Sequence, residues 1–224
     1  MGARARRIRS RALALGVALC AALALTGGTA GSASAQAPAG AVVEVNPANN
    51  QLVINPINGL PNNLVIGFNP DPQFIYVFDP LNPLQPGPGC QLLNPGFRNL
   101  TVCLPIPPNP MISGLELHFQ AIQVNKLQIL PTLPVLPGPN SIQGGRKKDV
   151  IQGGQSDEQI KSGKGNDSVN PGPGEDDVNL GAGNDKANTK DGEKDTVNGG
   201  KGNRDEATVD KKDKVKNVEV VKRK

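Results

Sequence analysis

The sequence is poor in the side chains that most enzymes use for catalysis. Its 224 residues include no Trp, one Tyr, three Cys and one His, which is His118. A single His excludes the H-E-x-x-H zinc site of metalloproteases, and the sequence contains neither a G-x-S-x-G nucleophile motif nor a phosphate-binding P-loop. His118 falls in a segment with strand periodicity, where a structural role is the simpler interpretation. We therefore expect no catalytic residues and predict that the chain is not an enzyme.

Long hydrophobic runs are also scarce, and the longest lies at the start of the chain. Residues 4–11 contain five Arg, residues 12–25 are an apolar run, and Ala33-Ser34-Ala35 precedes Gln36. This layout is typical of a secretory signal peptide that is cleaved after residue 35. The 14 residues of the run are fewer than the roughly 20 that a transmembrane helix needs. The sequence thus predicts a signal peptide over 1–35, no transmembrane segment in the mature chain, and a secreted, extracellular protein.

The net charge does not favour nucleic-acid binding. The whole chain has 24 Lys and Arg against 20 Asp and Glu, a formal charge of +4. The predicted signal peptide contains five of the Arg and no acidic residue, so the mature chain carries 19 basic and 20 acidic residues. Because a nucleic-acid-binding domain needs a basic surplus, we predict no nucleic-acid partner.

Two cysteines remain after removal of the predicted signal peptide. Cys90 and Cys103 are 13 residues apart in the sequence. Exported proteins form and keep disulfides, and an even number of cysteines favours pairing. The sequence therefore predicts a Cys90–Cys103 disulfide, with two buried free thiols as the alternative.

The composition of the chain changes near residue 143. Residues 36–143 hold 19 of the 21 Pro and all five Phe, whereas residues 144–224 are rich in Gly, Asp and Lys. In the first part, Asn-Pro and Asp-Pro turn dipeptides separate short β-branched and aromatic runs, and a central strand does not continue through Pro. The runs predicted to form strands are 41–45, 52–54, 64–68, 74–78 and 115–124. We predict a short antiparallel β-rich segment over 36–143, with the cysteine hairpin at one edge.

A nine-residue period organises the second part. Written from Gly144, the units read GGRKKDVIQ, GGQSDEQIK, SGKGNDSVN, PGPGEDDVN and LGAGNDKAN, followed by the ten-residue units TKDGEKDTVN and GGKGNRDEAT. The sixth position is acidic in all five nine-residue units, and the eighth is Ile, Val or Ala. Asp195 and Asp205 follow at intervals of ten. Such regular spacing indicates one supersecondary unit repeated along the chain.

The repeat resembles the hemolysin-type calcium-binding nonapeptide of the RTX family, G-G-x-G-x-D-x-U-x. The third to fifth units match best. The resemblance implies a C-terminal parallel β-roll over 144–208, a cap and basic tail over 209–224, and Ca²⁺ as the cofactor, so the predicted fold class is all-β. The metal-site residues that it implies are Asp149, Asp157, Glu158, Gly163, Gly165, Asp167, Gly172, Gly174, Asp176, Gly181, Gly183, Asp185 and Asp195.

The residue types suit that chemistry. Glycine adopts left-handed backbone angles without strain, so a Gly-rich turn can aim its carbonyls at one ion. Ca²⁺ takes six to eight hard oxygens, which Asp carboxylates and carbonyls supply. Because successive strands would lie on opposite sides of a roll, turn n should stack on turn n+2, and Asp167 with Asp185 should be the strongest pair. The further expected pairs are Asp149 with Asp167, Asp176 with Asp195, and Asp157 or Glu158 with Asp176.

The repeats also predict folding that depends on the ion. One Val or Ile per nine residues is a thin core to set against the entropy of ordering the chain, and stacked carboxylates repel each other without a cation. The first unit has Arg146-Lys147-Lys148 in place of x-G-x, and the second has Ser156 in place of Gly, so we expect two or three good sites. A disordered Gly/Asp/Lys-rich tail and a calcium-free roll are the alternatives. The expected affinity is that of an extracellular module, on the order of 10⁻⁴ to 10⁻³ M.

The whole layout is similar to small exported calcium-binding proteins of actinobacteria, which join a signal peptide, a β-rich segment, nonapeptides and a cap. A cell-wall or other anionic surface polymer is a candidate partner for the Lys-rich residues 211–224, against the alternative of a solvated charged face. Two other functions stay open. One is a surface or matrix adhesin with a calcium-stiffened stalk, and the other is a secreted enzyme with an unrecognised site in 36–143.

Overall fold

The computed structural model describes residues 41–56, 62–70, 73–94, 97–104, 112–118 and 125–223. The predicted signal peptide over 1–35 lies outside these residues. The described residues form 19 β-strands and no helix, which confirms the all-β prediction. None of the segments in these ranges is a helix long and apolar enough to cross a membrane.

Seven strands precede residue 104, and the first four coincide with the predicted β-branched and aromatic runs between the Asn-Pro turns. Their bounds are β1 Ala41–Val45, β2 Gln51–Pro56, β3 Asn63–Pro70, β4 Gln73–Phe78, β5 Leu84–Pro86, β6 Cys90–Asn94 and β7 Phe97–Cys103. Antiparallel pairing joins β1 to β2, β3 to β4, β4 to β7 and β6 to β7. Prolines fall at the ends of β2, β3 and β5, where the ladder stops.

Twelve strands follow, and each consecutive pair makes one coil of a parallel roll. Their bounds are β8 Gly114–His118, β9 Asn125–Ile129, β10 Asn140–Gln143, β11 Asp149–Gln152, β12 Glu158–Lys161, β13 Ser168–Asn170, β14 Asp177–Asn179, β15 Lys186–Thr189, β16 Thr196–Asn198, β17 Glu206–Val209, β18 Lys214–Lys216 and β19 Val220–Arg223. Even-numbered strands pair in one sheet and odd-numbered strands in the other. The stacking of turn n on turn n+2 is therefore confirmed.

The two sheets bury one apolar side chain from each short strand between them. Ile142 lies opposite Ile160, and Ile160 lies opposite Val178, at intervals of 18 residues along the chain. These side chains and Val197 are fully buried, while their strand neighbours point outward. The same core continues from Ala41 to Val209, so the described part of residues 41–223 shares one hydrophobic interior.

Parallel pairing starts well before the first nonapeptide. β2 pairs in parallel with β8, and β3 pairs in parallel with β9, so these strands already form coils of the roll. β10 pairs with β8 on one side and β12 on the other, and the ladder thus crosses residue 143 without interruption. The antiparallel strands β1, β4, β6 and β7, together with β5, which pairs in parallel with β1, lie at one end of the two sheets. At the other end β18 and β19, from the predicted cap, continue both sheets.

The predicted disulfide is present at an edge of the longer sheet. Cys90 and Cys103 are joined by an S–S bond of 2.07 Å and lie directly opposite each other in the β6–β7 pair. β6 is the last strand of that sheet. The bond therefore ties an edge strand, which has only one neighbour, to the rest of the sheet.

Candidate metal centre

The turns between the short strands depend on glycines with left-handed backbone angles. The second and fourth positions of the third to fifth units all have positive φ, between 92° and 148°: Gly163, Gly165, Gly172, Gly174, Gly181 and Gly183. Other L-residues are strained there, and the stacked turns leave no room for a side chain. A Cβ on Gly181 would lie 2.1 Å from the carbonyl oxygen of Gly163 in the turn below. Glycine is thus required both by conformation and by the close approach of successive turns.

Buried acidic residues form a ladder along one edge of the roll. The backbone N–H of Asp149 donates to Oδ1 of Asp167 at 2.8 Å, that of Asp167 to Oδ1 of Asp185 at 2.7 Å, and that of Asp185 to Oδ1 of Asp205 at 2.9 Å. All four residues are buried. One carboxylate oxygen of each Asp thus accepts a hydrogen bond from the backbone of the coil before it. Two acidic residues that are neighbours in a ladder form one rung.

A second ladder follows the opposite edge with the same pattern. The N–H of Glu158 donates to Oδ1 of Asp176 at 2.8 Å, that of Asp176 to Oδ1 of Asp195 at 2.9 Å, and that of Asp195 to Oδ1 of Asp213 at 3.1 Å. Asp157 is exposed and its Oδ1 accepts from Glu175 N at 2.9 Å. Glu158, and not Asp157, therefore occupies the ladder.

The second carboxylate oxygen of the central rungs has no hydrogen-bond partner. Among the described residues, this holds for the buried Oδ2 atoms of Asp167, Asp176, Asp185, Asp195 and Asp205. A buried polar atom without a partner carries the full cost of its desolvation. Carboxylate oxygens are hard ligands, and the neighbouring turns bring backbone carbonyls to the same edge, so the donor set fits Ca²⁺.

Protein groups close the start of the first ladder and the end of the second. Asp149 accepts from Gly145 N at 2.7 Å through Oδ2 and from Asn125 Nδ2 at 2.8 Å through Oδ1. The Oδ2 of Asp213 accepts from Thr189 Oγ1 at 2.8 Å and from Asp210 N at 2.9 Å. Both oxygens of Asp149 and Asp213 are thus satisfied within the chain, in contrast to those of the five aspartates with an unsatisfied Oδ2.

Burial makes five of the ladder carboxyls weaker acids than usual. Desolvation raises the pKa of Asp167, Asp176 and Asp195 to about 7 and that of Asp185 to about 6. The pKa of Glu158 rises to about 8, first through desolvation and then through the negative charge of Asp176. The backbone N–H of the preceding acidic residue in the ladder donates a hydrogen bond that lowers the pKa, but this effect is too weak to reverse the increase caused by burial. In the metal-free fold at neutral pH, these groups are therefore partly protonated.

A third carboxylate joins one rung of the second ladder. Asp176, Asp191 and Asp195 each place a carboxylate oxygen within 4.8 Å of the other two. Asp191 is exposed, whereas the other two are buried. It precedes the positive-φ Gly192 in the first ten-residue unit. The extra residue of this unit distinguishes its turn from those of the nine-residue units.

The structure stacks every Asp pair that the repeat frame predicts, and it adds residues that the predicted set did not contain. Asp205 and Asp213 extend the two ladders, and Asp191 joins a rung. Asp213 follows Asp195 by 18 residues, the interval of one full coil, so spacing alone indicated it. Asp205 follows Asp185 by 20 residues because both intervening units contain ten, which takes it out of a strict period.

The metal-free protein should lose β structure as the pH is raised from 4 to 8. Five of the ladder carboxyls, those of Glu158, Asp167, Asp176, Asp185 and Asp195, have folded pKa values of about 6 to 8, above the value near 4 expected in an unfolded chain. Raised pKa values stabilise the fold below the unfolded pKa, and this stabilisation disappears as the pH passes the folded pKa. Circular dichroism of protein freed of metal ions tests this. A β signal that stays constant or grows from pH 4 to 8 would contradict it, and the calcium-saturated protein, which we expect to stay folded at pH 6 to 8, is the control.

Comparison with known proteins agrees with this geometry. A profile of the RTX calcium-binding nonapeptide repeat matches residues 136–169 and 156–187. Searches of curated proteins and of solved structures found no match to the chain. The matched segment contains Asp149, Asp167, Asp176 and Asp185 of the two ladders. Residues 136–187 therefore match the RTX calcium-binding nonapeptide repeat, a family whose cation is Ca²⁺.

Proposed function

We propose that this chain is a secreted, non-enzymatic calcium-binding protein that holds Ca²⁺ between the stacked turns of its roll. The observation that carries the proposal is the set of five buried Asp Oδ2 atoms without a hydrogen-bond partner, all on central rungs. Three belong to the first ladder and two to the second. Asp carboxylates together with turn carbonyls would hold the ion, which supplies the positive charge that the buried oxygens lack.

Calcium binding should be coupled to folding. Without a cation, each central rung buries an unsatisfied carboxylate oxygen, which costs free energy. Each strand buries only one small apolar residue, such as Val169 or Ala187, to offset that cost. The metal-binding free energy then becomes folding free energy, as in other small metal-dependent domains. Together with the predicted signal peptide, this supports a chain that stays unfolded where Ca²⁺ is scarce and folds after export.

The coils before the repeats have a different means of satisfying their ladder positions. Asn125 accepts from Asn62 N at 3.2 Å and donates through Nδ2 to Asp149. Asn140 accepts from Leu115 N at 3.1 Å and donates to the carbonyl of Asp157 at 3.2 Å. An amide side chain is neutral and contains both a donor and an acceptor. These coils therefore need no ion, and they offer a preformed edge on which the calcium-dependent coils can add.

Isothermal titration of Ca²⁺ into the exported chain tests the proposal. We expect saturable binding in the range on the order of 10⁻⁴ to 10⁻³ M, together with a gain of β signal in circular dichroism. Asp185→Ala removes a carboxylate ligand from two successive rungs. It should weaken Ca²⁺ binding about tenfold or more, since the charge of the ligands sets calcium affinity. Asp177→Ala is the matched control, because Asp177 is exposed on a strand face beside the ladder. No binding at about 10 mM Ca²⁺ would show that the proposal is wrong.

A further inference from the structure

The turn that begins the first ten-residue unit departs from the turns of the nine-residue units. Two residues, Glu193 and Lys194, separate Gly192 from Asp195, whereas one residue separates Gly183 from Asp185. Gly192 has φ 95°, yet a Cβ built on it would meet nothing within 4 Å. The turn therefore extends beyond the stacked turns, and its exposed position is not shaped by close packing.

Neighbouring turns nevertheless hold this extended turn in place from both sides. On the upstream side, the N–H of Gly174 donates to the Glu193 carboxylate. On the downstream side, Gly192 N donates to Oδ2 of Asp210 at 2.8 Å, and Lys212 Nζ donates to the Gly192 carbonyl. Glu193 N also donates to Oδ1 of Asp191 at 2.8 Å, so the Asp191 side chain has a fixed orientation.

The position of Asp191 adds a carboxylate to a rung that already contains two unsatisfied oxygens. Asp176 and Asp195 are 3% and 0% exposed, and the Oδ2 atom of each has no hydrogen-bond partner. The three carboxylates each place an oxygen within 4.8 Å of the others. Among the described residues, no other rung brings together three such side chains.

We infer that Asp176, Asp191 and Asp195 form a three-carboxylate cation site that binds Ca²⁺ more tightly than the other rungs and accepts trivalent lanthanide ions. This inference rests on the proposed calcium-binding function. Two carboxylates balance the charge of Ca²⁺, whereas three leave a net charge of −1 with Ca²⁺ and balance a trivalent ion. Since ligand charge count tunes calcium affinity, the rung with the third carboxylate fills first.

Titration of the full exported chain with Ca²⁺ alone, and separately with La³⁺ alone, tests the inference by calorimetry. The wild type should show one site at least about tenfold tighter than the rest for Ca²⁺, and one La³⁺ of high affinity. Asp191→Asn should abolish this tight class and leave the weaker sites. Because Asp191 is exposed, the calcium-saturated variant should keep the wild-type circular dichroism spectrum.

The matched control is Asp177→Asn, which removes the same charge. Asp177 is next to Asp176 in the chain, but it occupies an exposed strand position and points away from the rung. It should leave the tight site within about twofold of the wild type, as expected for an exposed charge. Identical titrations for Asp191→Asn and the wild type would overturn the inference while leaving calcium binding intact. A wild type that binds no Ca²⁺ would overturn the proposed function and this site with it.

Discussion

Removal of Ca²⁺ at neutral pH should unfold residues 153–223 and leave strands β1 to β11 paired. The central rungs of the later coils contain the unsatisfied Oδ2 atoms, and their apolar residues are too small and too few to offset chain entropy. The earlier coils use Asn125 and Asn140 at the equivalent positions, and Asp149 has both oxygens satisfied by protein donors. The boundary between the two behaviours should therefore follow Asp149.

Trypsin digestion followed by mass spectrometry would locate that boundary. The later coils contain exposed lysines, among them Lys164 and Lys186, which trypsin can cut once the coils open. With Ca²⁺ present these sites should be protected, and with chelator they should be cut while a fragment that contains residues 41–143 survives. Mg²⁺ is the control ion, because it demands a tighter octahedral site and should not protect. The same digestion pattern with and without Ca²⁺ would contradict the prediction.

The sequence predicted the repeating part of the roll well because spacing and chemistry agree there. Asp149, Asp167 and Asp185 recur with the coil interval of 18 residues, and Ile151 and Val169 recur in register with them. A fixed period defines the strand register, the buried face and the stacked turns together. The pairs expected from that frame are accordingly the pairs that stack.

The earlier coils could not be predicted in this way, since their ladder residues are separated by unequal loops. Asn62 and Asn125 are neighbours in the ladder but 63 residues apart in the chain, and Asn125 and Asp149 are 24 apart. Asparagine is also a common turn residue, so in a Pro-rich segment its presence favours a loop over a ladder position. The parallel pairing of β2 with β8 and of β3 with β9 became evident only from the structure.

Insertions account for two of the three site residues absent from the predicted set, Asp205 and Asp191. Each of the last two units contains one extra residue, so Asp205 does not fit the nine-residue spacing. It still lies in the ladder, because the extra residue is accommodated in the turn. The same kind of insertion brings Asp191 to the rung of Asp176 and Asp195. A strict periodic pattern assigns such residues to the loop, whereas in three dimensions they lie at the site.

Replacement of ladder aspartates by asparagine should allow the roll to fold without calcium, whereas replacement by alanine should leave it unfolded without the ion, as the wild type is. At Asn125, an amide already accepts the N–H of the coil before it and donates to the acidic residue of the coil after it. Asn at positions 167 and 185 would reproduce this arrangement and remove two buried charges. A pKa near 7 in place of 3.8 corresponds to roughly 4 kcal/mol for ionised Asp167 in the metal-free fold, so the neutral amide should be strongly stabilising there.

Thermal unfolding of the Asp167→Asn/Asp185→Asn and Asp167→Ala/Asp185→Ala double variants, followed by circular dichroism in chelator, separates these effects. In chelator the Asn variant should show a thermal unfolding transition of the repeats, which the wild type should lack, and it should gain less from added Ca²⁺. The Ala variant removes the acceptors for the N–H groups of Asp149 and Asp167, at a cost of about 1–3 kcal/mol for each group left unsatisfied. Equal behaviour of the two variants in chelator would show that the carboxylates, and not the ladder hydrogen bonds they accept, determine the stability of the metal-free roll.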